Sequence, residues 1–187
     1  MKPILQSTKL TALALLAVAG ASTAQAAAIL GAPVVVATTG NVTATFRGHT
    51  AGYTSTLFLD SPGGPIDIFV NHTNAVGDTF NLGTFTAGTE LVFGIYVWNT
   101  GETFYSGDAS RNPDGLPHNV VDNDVYPGET YVGFEDLLGG GDMDYDDNNF
   151  SFTNTRAGTV PEGGATLTLL AGALALTGAA ARRFGRR

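Results

Sequence analysis

The sequence predicts an all-β fold: a single antiparallel β-sandwich or jelly-roll-like domain over residues 27–159, flanked by a helical segment at each end. The apolar runs of this region are short and rich in Val, Ile, Thr, Phe and Tyr, which favour strands. Gly, Pro, Asn and Asp cluster between the runs at intervals of roughly 8–12 residues, a spacing typical of sandwiches and jelly rolls. No stretch of the region shows the 3.6-residue apolar period of an amphipathic helix.

Nine strands are predicted within this domain. They cover residues 33–37, 41–47, 54–60, 66–70, 79–85, 90–98, 103–105, 130–134 and 149–155. Residues 90–98 are apolar almost without interruption, which predicts a strand at the centre of a sheet. The segments 111–115, with Asp108, and 122–124 are rich in Asp and Asn and are predicted to be turns. The alternative is that either segment brings oxygen atoms to the acidic residues of 135–147.

The first 26 residues have the pattern of a secretory signal peptide. Lys2 and Lys9 form a basic region, residues 10–19 form a short apolar run, and Ala24-Gln25-Ala26 is an A-x-A cleavage site. Cleavage is expected after Ala26, and cleavage after Ala28 fits the same rule. The sequence therefore predicts an exported protein.

The last 28 residues have three parts that together predict a membrane-directed tail. The first part is the turn-forming motif Val160, Pro161, Glu162, Gly163, Gly164, and the second part is residues 165–181, which carry no charge. The third part is a group of four arginines, Arg182, Arg183, Arg186 and Arg187. Residues 165–181 are at the short end of the roughly 17–25 residues that span a bilayer, and the arginines would stay on the cytoplasmic side. The alternative, a buried helix of the domain, is disfavoured because core helices rarely lack polar residues for so long.

This tail resembles the PEP-CTERM protein-sorting signal in a VPEGG-type variant. Val160-Pro161-Glu162 matches the family motif, whereas Gly163 stands where the commonest form has a second proline. The resemblance implies an exosortase-type transpeptidase as a partner. It also implies membrane anchoring before processing, and then transfer of the chain to the cell surface or extracellular matrix.

The charge of the domain excludes several kinds of partner. All but one of the 17 acidic residues lie between the two terminal segments, with Arg47, Arg111 and Arg156 as the only basic residues there. The resulting net charge of about −13 repels nucleic acid and anionic lipid headgroups and attracts metal cations. Because the chain contains no cysteine, disulfides and thiol chemistry are excluded as well.

One acidic segment is a candidate calcium site. Six carboxylates fall within thirteen residues, and these are Glu135, Asp136, Asp142, Asp144, Asp146 and Asp147. Their mutual repulsion favours a bound cation, and calcium prefers such oxygen ligands. The spacing is not that of an EF-hand, since the sixth loop position is Asp147 rather than Gly. The alternative is a solvated acidic turn without metal.

Residues 52–155 resemble a second family, domain of unknown function 4114. The resemblance rests on the segments 89–94, 100–107 and 111–115, on His118, and on the Gly-Phe-Glu-Asp and Gly-Gly-Gly-Asp-x-Asp-Tyr-Asp-Asp motifs of residues 133–147. It implies a β-rich extracellular domain that binds calcium and has no established reaction.

The sequence does not predict an enzyme. The carboxylates are concentrated in one glycine-rich segment rather than set across a cleft as in glycosidases, and neither a G-x-S-x-G nor an H-E-x-x-H motif occurs. The predicted function is that of a structural or interaction protein of the cell surface or exopolysaccharide matrix. The alternative is a calcium-dependent, lectin-like module that stacks sugars on aromatic side chains. The candidate side chains are Tyr53, Tyr96, Trp98, Tyr105 and Tyr145, although their positions in or near predicted strands favour core packing instead.

Overall fold

The computed structural model describes residues 28–160, which form twelve strands and one short 3₁₀ turn. The strands are β1 (Ile29–Leu30), β2 (Val34–Val36), β3 (Gly40–Gly48), β4 (Ser55–Ser61), β5 (Ile66–Val70), β6 (Thr79–Phe85), β7 (Glu90–Val97), β8 (Glu102–Tyr105), β9 (Asn119–Tyr126), β10 (Glu129–Phe134), β11 (Asn148–Thr153) and β12 (Thr155–Ala157). The 3₁₀ turn covers Ala109–Arg111.

The strands form two sheets in which each described pair is antiparallel. The first sheet has the order β1-β9-β10-β11-β3-β6, and the second has the order β12-β2-β7-β4-β5, with β8 also paired to β7. Strand β7 contacts β2 through Glu90 and Leu91 and contacts β8 through residues 94–97. As its nearly continuous apolar sequence predicts, β7 is therefore the central strand of the second sheet.

The core lies between the two sheets and is rich in phenylalanine. The Phe93 ring of β7 stacks on the Phe152 ring of β11 with centroids 4.1 Å apart, so the contact joins the two sheets. Phe69 of β5 stacks in the same way on Phe150 of β11 at 6.2 Å. All four side chains are buried in one continuous apolar cluster. The predicted all-β fold with antiparallel sheets packed as a sandwich is confirmed.

Two local predictions are wrong. Residues 122–124, expected to form a turn, belong to β9, where the register against β10 shifts between Asp122 and Tyr126. The shift leaves three residues of β9 exposed, so an Asp- and Asn-rich sequence is tolerated there.

The strand predicted over residues 149–155 is instead divided at Asn154. This residue has a φ of 55°, a conformation that ends β11 in the first sheet and allows β12 to pair in the second. The Asn154 side chain stabilises the crossing because it bonds both the backbone and the hydroxyl group of Thr38.

The predicted terminal segments lie outside the described residues. These are the signal peptide of residues 1–26, the sorting motif after Val160, the membrane helix of residues 165–181 and the four arginines. Val160 is the last described residue, and its side chain is exposed. Within residues 28–160, no helix has the length and apolar character needed to cross a membrane.

Candidate metal centre

The acidic segment is the connection between two neighbouring strands of the first sheet. Strands β10 and β11 pair as far as Phe134 and Asn148, and residues 135–147 join them at the end of the sandwich. All six predicted metal ligands therefore lie on one hairpin loop, which we call the acidic loop. Both of its ends are fixed by hydrogen-bonded strands.

Three of the six carboxylates converge in this loop. One oxygen from each of Glu135, Asp142 and Asp144 lies within 4.8 Å of the other two. Asp142 and Asp144 are exposed, whereas Glu135 is fully buried. Two ligands on opposite sides of a calcium ion are about 5 Å apart, since each Ca–O bond measures roughly 2.3–2.6 Å. A single ion can therefore bind all three oxygens.

The buried carboxylate is only half satisfied by hydrogen bonds. Glu135 Oε1 accepts a hydrogen bond of 2.8 Å from the backbone N–H of Tyr145. Glu135 Oε2 is buried as well and accepts none from the described part of the chain. A buried carboxylate oxygen without a partner is costly, because desolvation of the charge is not compensated.

The backbone of the loop closes tightly over Glu135. A Cβ atom on Gly141 would lie 2.6 Å from Glu135 Oε2, and a Cβ atom on Gly133 in β10 would lie 2.1 Å from the carbonyl oxygen of Tyr145. Both positions therefore require glycine for the loop to adopt this path. Met143 and Tyr145 have φ values of 61° and 56°, a region that side chains other than glycine adopt at a cost.

Mutual repulsion and burial shift the acid–base equilibria of the loop. Burial raises the pKa of Glu135, and Asp147, Asp142 and Asp144 raise it further, while the hydrogen bond from Tyr145 opposes the shift. Burial, with the charge of Asp147, raises the pKa of Asp136 to about 7. The loop therefore disfavours its fully ionised state when no cation is bound.

The other three predicted ligands belong to the same loop, and Asp146 is the one among them whose side chain fastens the loop to Thr50. Asp147 Oδ2 accepts a hydrogen bond of 3.1 Å from the backbone N–H of Asp136. Asp146 accepts hydrogen bonds from the hydroxyl group of Thr50 and, through its carbonyl oxygen, from the Thr50 backbone N–H. Asp136 Oδ2 and both side-chain polar atoms of Asn148 are buried without a hydrogen-bond partner among residues 28–160.

Two residues outside the loop support it: Asp114, for whose segment a contribution to the loop is the predicted alternative to a plain turn, and His118, to which the sequence assigns no such role. His118 is fully buried and stacks on Phe104 at 3.9 Å, and its Nε2 lies 2.9 Å from Asp114 Oδ2. The same Asp114 oxygen accepts a hydrogen bond from the N–H of Gly139, at the start of the triple glycine of the loop. The backbone N–H of Glu135 donates to the His118 carbonyl oxygen.

The Asp114 carboxylate is held in its ionised form by these contacts. Burial alone would raise its pKa, but the hydrogen bonds from His118, Gly139 and Leu116 lower it to about 2. The i, i+4 spacing of Asp114 and His118 is the signal in the sequence that would have identified the pair. Asp114 therefore supports the loop as a hydrogen-bond acceptor.

Among residues 28–160, the two arginine ion pairs do not balance the charge of the converging carboxylates. Arg47 pairs with Glu129, and Arg111 pairs with Glu90 at 2.7 Å, so neither ion pair involves the acidic loop. Three carboxylate oxygens without histidine or cysteine among them form a hard donor set, which suits calcium better than zinc or copper.

The candidate sugar-stacking residues do not pack in the core, and that expectation is wrong. Trp98 and Tyr96 are 56% and 43% exposed, Tyr53 is exposed, and Tyr105 and Tyr145 are half-buried. The core-facing positions of β7 are Leu91, Phe93, Ile95 and Val97. Tyr96 lies at an alternate position of β7, where the side chain points away from the core, and Trp98 directly follows the end of that strand.

Comparisons with known proteins find no matching family model, no matching curated protein and no matching solved structure. The two family resemblances therefore stay predictions that rest on the motifs themselves.

Proposed function

We propose that the acidic loop binds one calcium ion and that this ion stabilises an exported, jelly-roll-like sandwich domain of the cell surface or extracellular matrix. The observation that supports the calcium site is the position of Glu135. Its carboxylate is fully buried, and one of its two oxygens has no hydrogen-bond partner among residues 28–160. A carboxylate oxygen of Glu135 also lies within 4.8 Å of oxygens of Asp142 and Asp144.

Glu135, Asp142 and Asp144 would supply three of the 6–8 oxygen ligands that calcium takes, with water and backbone carbonyls completing the set. The ion would offset the repulsion among the carboxylates and give Glu135 Oε2 its missing partner. Because the loop joins β10 to β11, the ion would also fasten the end of the central hairpin of the first sheet. This role is structural, and no reaction is proposed for the loop.

A calcium titration of the domain tests the site. Isothermal titration calorimetry on residues 28–160 is expected to show one calcium ion bound by the native sequence. The double variant Asp142→Asn/Asp144→Asn is expected to bind far more weakly, since it loses two charged ligands. Glu102→Gln, a carboxylate on β8 of the other sheet, is the matched control. Equal binding by all three proteins would contradict the assignment.

The location of the protein is proposed from the terminal motifs. The chain would be exported through residues 1–26, held in the membrane by residues 165–181, and processed at the 160–164 motif by an exosortase-type transpeptidase. Exopolysaccharide of the matrix is the further proposed partner. The intact mass of the product from the native host tests this sequence of steps, since a mature chain should begin near Ala27 and lack the arginine-rich end. A product that retains both ends would contradict it.

Carbohydrate binding is a second candidate, which the exposure of Tyr96 and Trp98 favours. A calcium-dependent lectin would place such side chains next to the ion. Tyr145 is the one candidate aromatic residue inside the acidic loop, and its hydroxyl group bonds the carbonyl oxygen of Pro117 at 3.4 Å. Tyr96 belongs to β7 of the second sheet and Trp98 directly follows that strand, which points to a site that is separate from the loop.

A further inference from the structure

The outer face of the second sheet carries a trough lined by aromatic side chains. Strands β4, β5, β7 and β8 are neighbours there, and Leu57, Leu59 and Ile95 point into the core. The alternate residues of the same strands therefore point outward. They line an open depression of about 540 Å³ that includes Phe58, Asp60, Asp67, Tyr96, Trp98 and Tyr105.

Three aromatic side chains of this trough, Phe58, Trp98 and Tyr105, are held in place before any ligand binds. The indole Nε1 of Trp98 donates a hydrogen bond of 2.9 Å to the hydroxyl group of Thr56, while 56% of the residue stays exposed. Phe58 meets Tyr105 edge to face, with centroids 6.0 Å apart and an interplanar angle of 88°. Side chains that are already ordered lose little conformational entropy when a ligand binds.

A glycine makes room for the floor of the trough. Gly94 pairs with Phe58 across β7 and β4, and a Cβ atom on Gly94 would lie 2.4 Å from Phe58 Cζ. The Phe58 ring therefore lies directly over the glycine, where it is buried against the sheet. Tyr96, the next outward residue of β7, lies beside the Phe58 ring at the base of the trough and is 43% exposed.

Two carboxylates border the aromatic surface and are available to a ligand. Asp67 pairs with Phe58 across β5 and β4, and Asp60 follows two residues after Phe58. Within residues 28–160, neither carboxylate accepts a hydrogen bond from the protein. Carboxylates are strong acceptors for hydroxyl donors and repel phosphate, sulfate and other anions.

We propose that this trough binds neutral pyranose units of a polysaccharide, without calcium. An aromatic ring offers a flat apolar face to the C–H groups of a sugar ring, and an adjacent carboxylate accepts hydrogen bonds from its hydroxyl groups. The volume falls within the range of small-ligand sites, and the open shape lets a chain of sugars continue beyond it. The proposal is independent of the acidic loop, because no lining residue of the trough belongs to that loop.

The chain contains a built-in reporter for this site. Trp98 is its single tryptophan, so the intrinsic tryptophan fluorescence comes from the trough alone. Full-length protein in detergent is titrated with neutral gluco-, manno- and N-acetylglucosamine oligosaccharides, each with calcium and with chelator. We expect at least one neutral oligosaccharide to change the emission by the same amount in both conditions. An acidic oligosaccharide of uronic acids should leave the emission unchanged.

Variants separate this site from its alternatives. Tyr96→Ala keeps the Trp98 reporter and is expected to weaken binding by roughly tenfold or more, the loss expected when a well-placed aromatic contact is removed. Asp67→Asn should weaken binding as well, because a carboxylate accepts stronger hydrogen bonds than an amide. Tyr53→Ala, an exposed tyrosine outside the trough, is the matched control and should bind like the native chain. Each variant is compared by melting temperature, so that a folding defect is recognised.

Three results would overturn the proposal. One is the absence of a fluorescence response to every neutral oligosaccharide. Another is binding that survives in Tyr96→Ala and Asp67→Asn. The third is binding that disappears with chelator while the melting temperature stays above the assay temperature, because this result would assign the sugar to the acidic loop.

Discussion

Replacing Glu135 by glutamine distinguishes the repulsion that this carboxylate causes in the calcium-free loop from its contribution to calcium binding. In the absence of calcium, the carboxylate lies within 4.8 Å of two other carboxylates, and one of its oxygens has no hydrogen-bond partner in the part of the chain that the structure describes. Two unit charges at that distance repel by about 1 kcal/mol in water and by about 3 kcal/mol at an effective dielectric constant of 20. Since Asp142 and Asp144 are exposed, the value for water is the better guide. The glutamine still offers an oxygen to the Tyr145 N–H and carries no charge.

Two opposite effects on stability are therefore expected from Glu135→Gln. Without calcium, the free energy of unfolding at pH 8 should be equal to that of the native sequence or greater by on the order of 1–2 kcal/mol. With calcium at a hundred times its dissociation constant, the native sequence should gain about 2.7 kcal/mol. For a domain of this size, that gain raises the melting temperature by roughly 10 °C. The variant should show little of this increase.

The assay is a thermal melt of residues 28–160 with chelator and with calcium, followed by circular dichroism. Glu102→Gln should respond to calcium like the native sequence, since this control removes a charge from the other sheet. Two outcomes would refute the reasoning. One is a full calcium response in Glu135→Gln. The other is a large loss of stability of that variant in chelator, because it would mean that the buried carboxylate is already well paired.

Three further predictions concern pH, backbone approach and the core. Because the pKa of Asp136 is raised to about 7 in the folded state, from an ordinary value near 4, the contribution of Asp136 to calcium-free stability should be fully present below about pH 4 and be lost as the pH rises through 7. Urea unfolding across pH 4–8 should show this slope, and Asp136→Asn should flatten it. Gly133→Ala should lower stability and abolish the calcium response, since its Cβ atom would lie 2.1 Å from the Tyr145 carbonyl oxygen. Thermal melts with and without calcium measure this effect, and Gly52→Ala, with open space around it, is the control. Phe152→Ala should lower the free energy of unfolding by about 3–5 kcal/mol in urea, and a loss below 1 kcal/mol would contradict its place between the sheets.

The fold class could be predicted from local pattern, whereas several strands depend on their partners. The apolar run of β7 predicts a central strand because few other environments accept eight residues of that kind. Strand β9 gives no such signal over Asp122-Asn123-Asp124, since Asp122 pairs with Tyr131 of β10 while Asn123 and Asp124 lie at the register shift and are exposed. Asn154 is likewise a single residue whose left-handed conformation sends the chain from one sheet to the other.

The candidate site could be predicted in composition and not in its geometry. The spacing of the six carboxylates indicates a shared loop, but nothing in the order of residues distinguishes Glu135 from Asp136. Which of them faces the converging aspartates depends on how residues 139–145 fold back, and that path is fixed by contacts with Gly133 and Asp114. Both contacts are distant in sequence from the loop atoms that they position.

The acidic loop and the aromatic trough are separate, and this separation limits how calcium in the loop can affect sugar binding in the trough. The loop closes a hairpin of the first sheet, and the trough lies on the outer face of the second. No lining residue is shared, so calcium has no direct contact through which it could change the affinity for sugar. Calcium can still protect sugar binding indirectly, because the sandwich must be folded for the trough to exist. Below the melting temperature of the calcium-free protein, the sugar dissociation constant should therefore be the same with and without calcium, and the two should diverge as that temperature is approached.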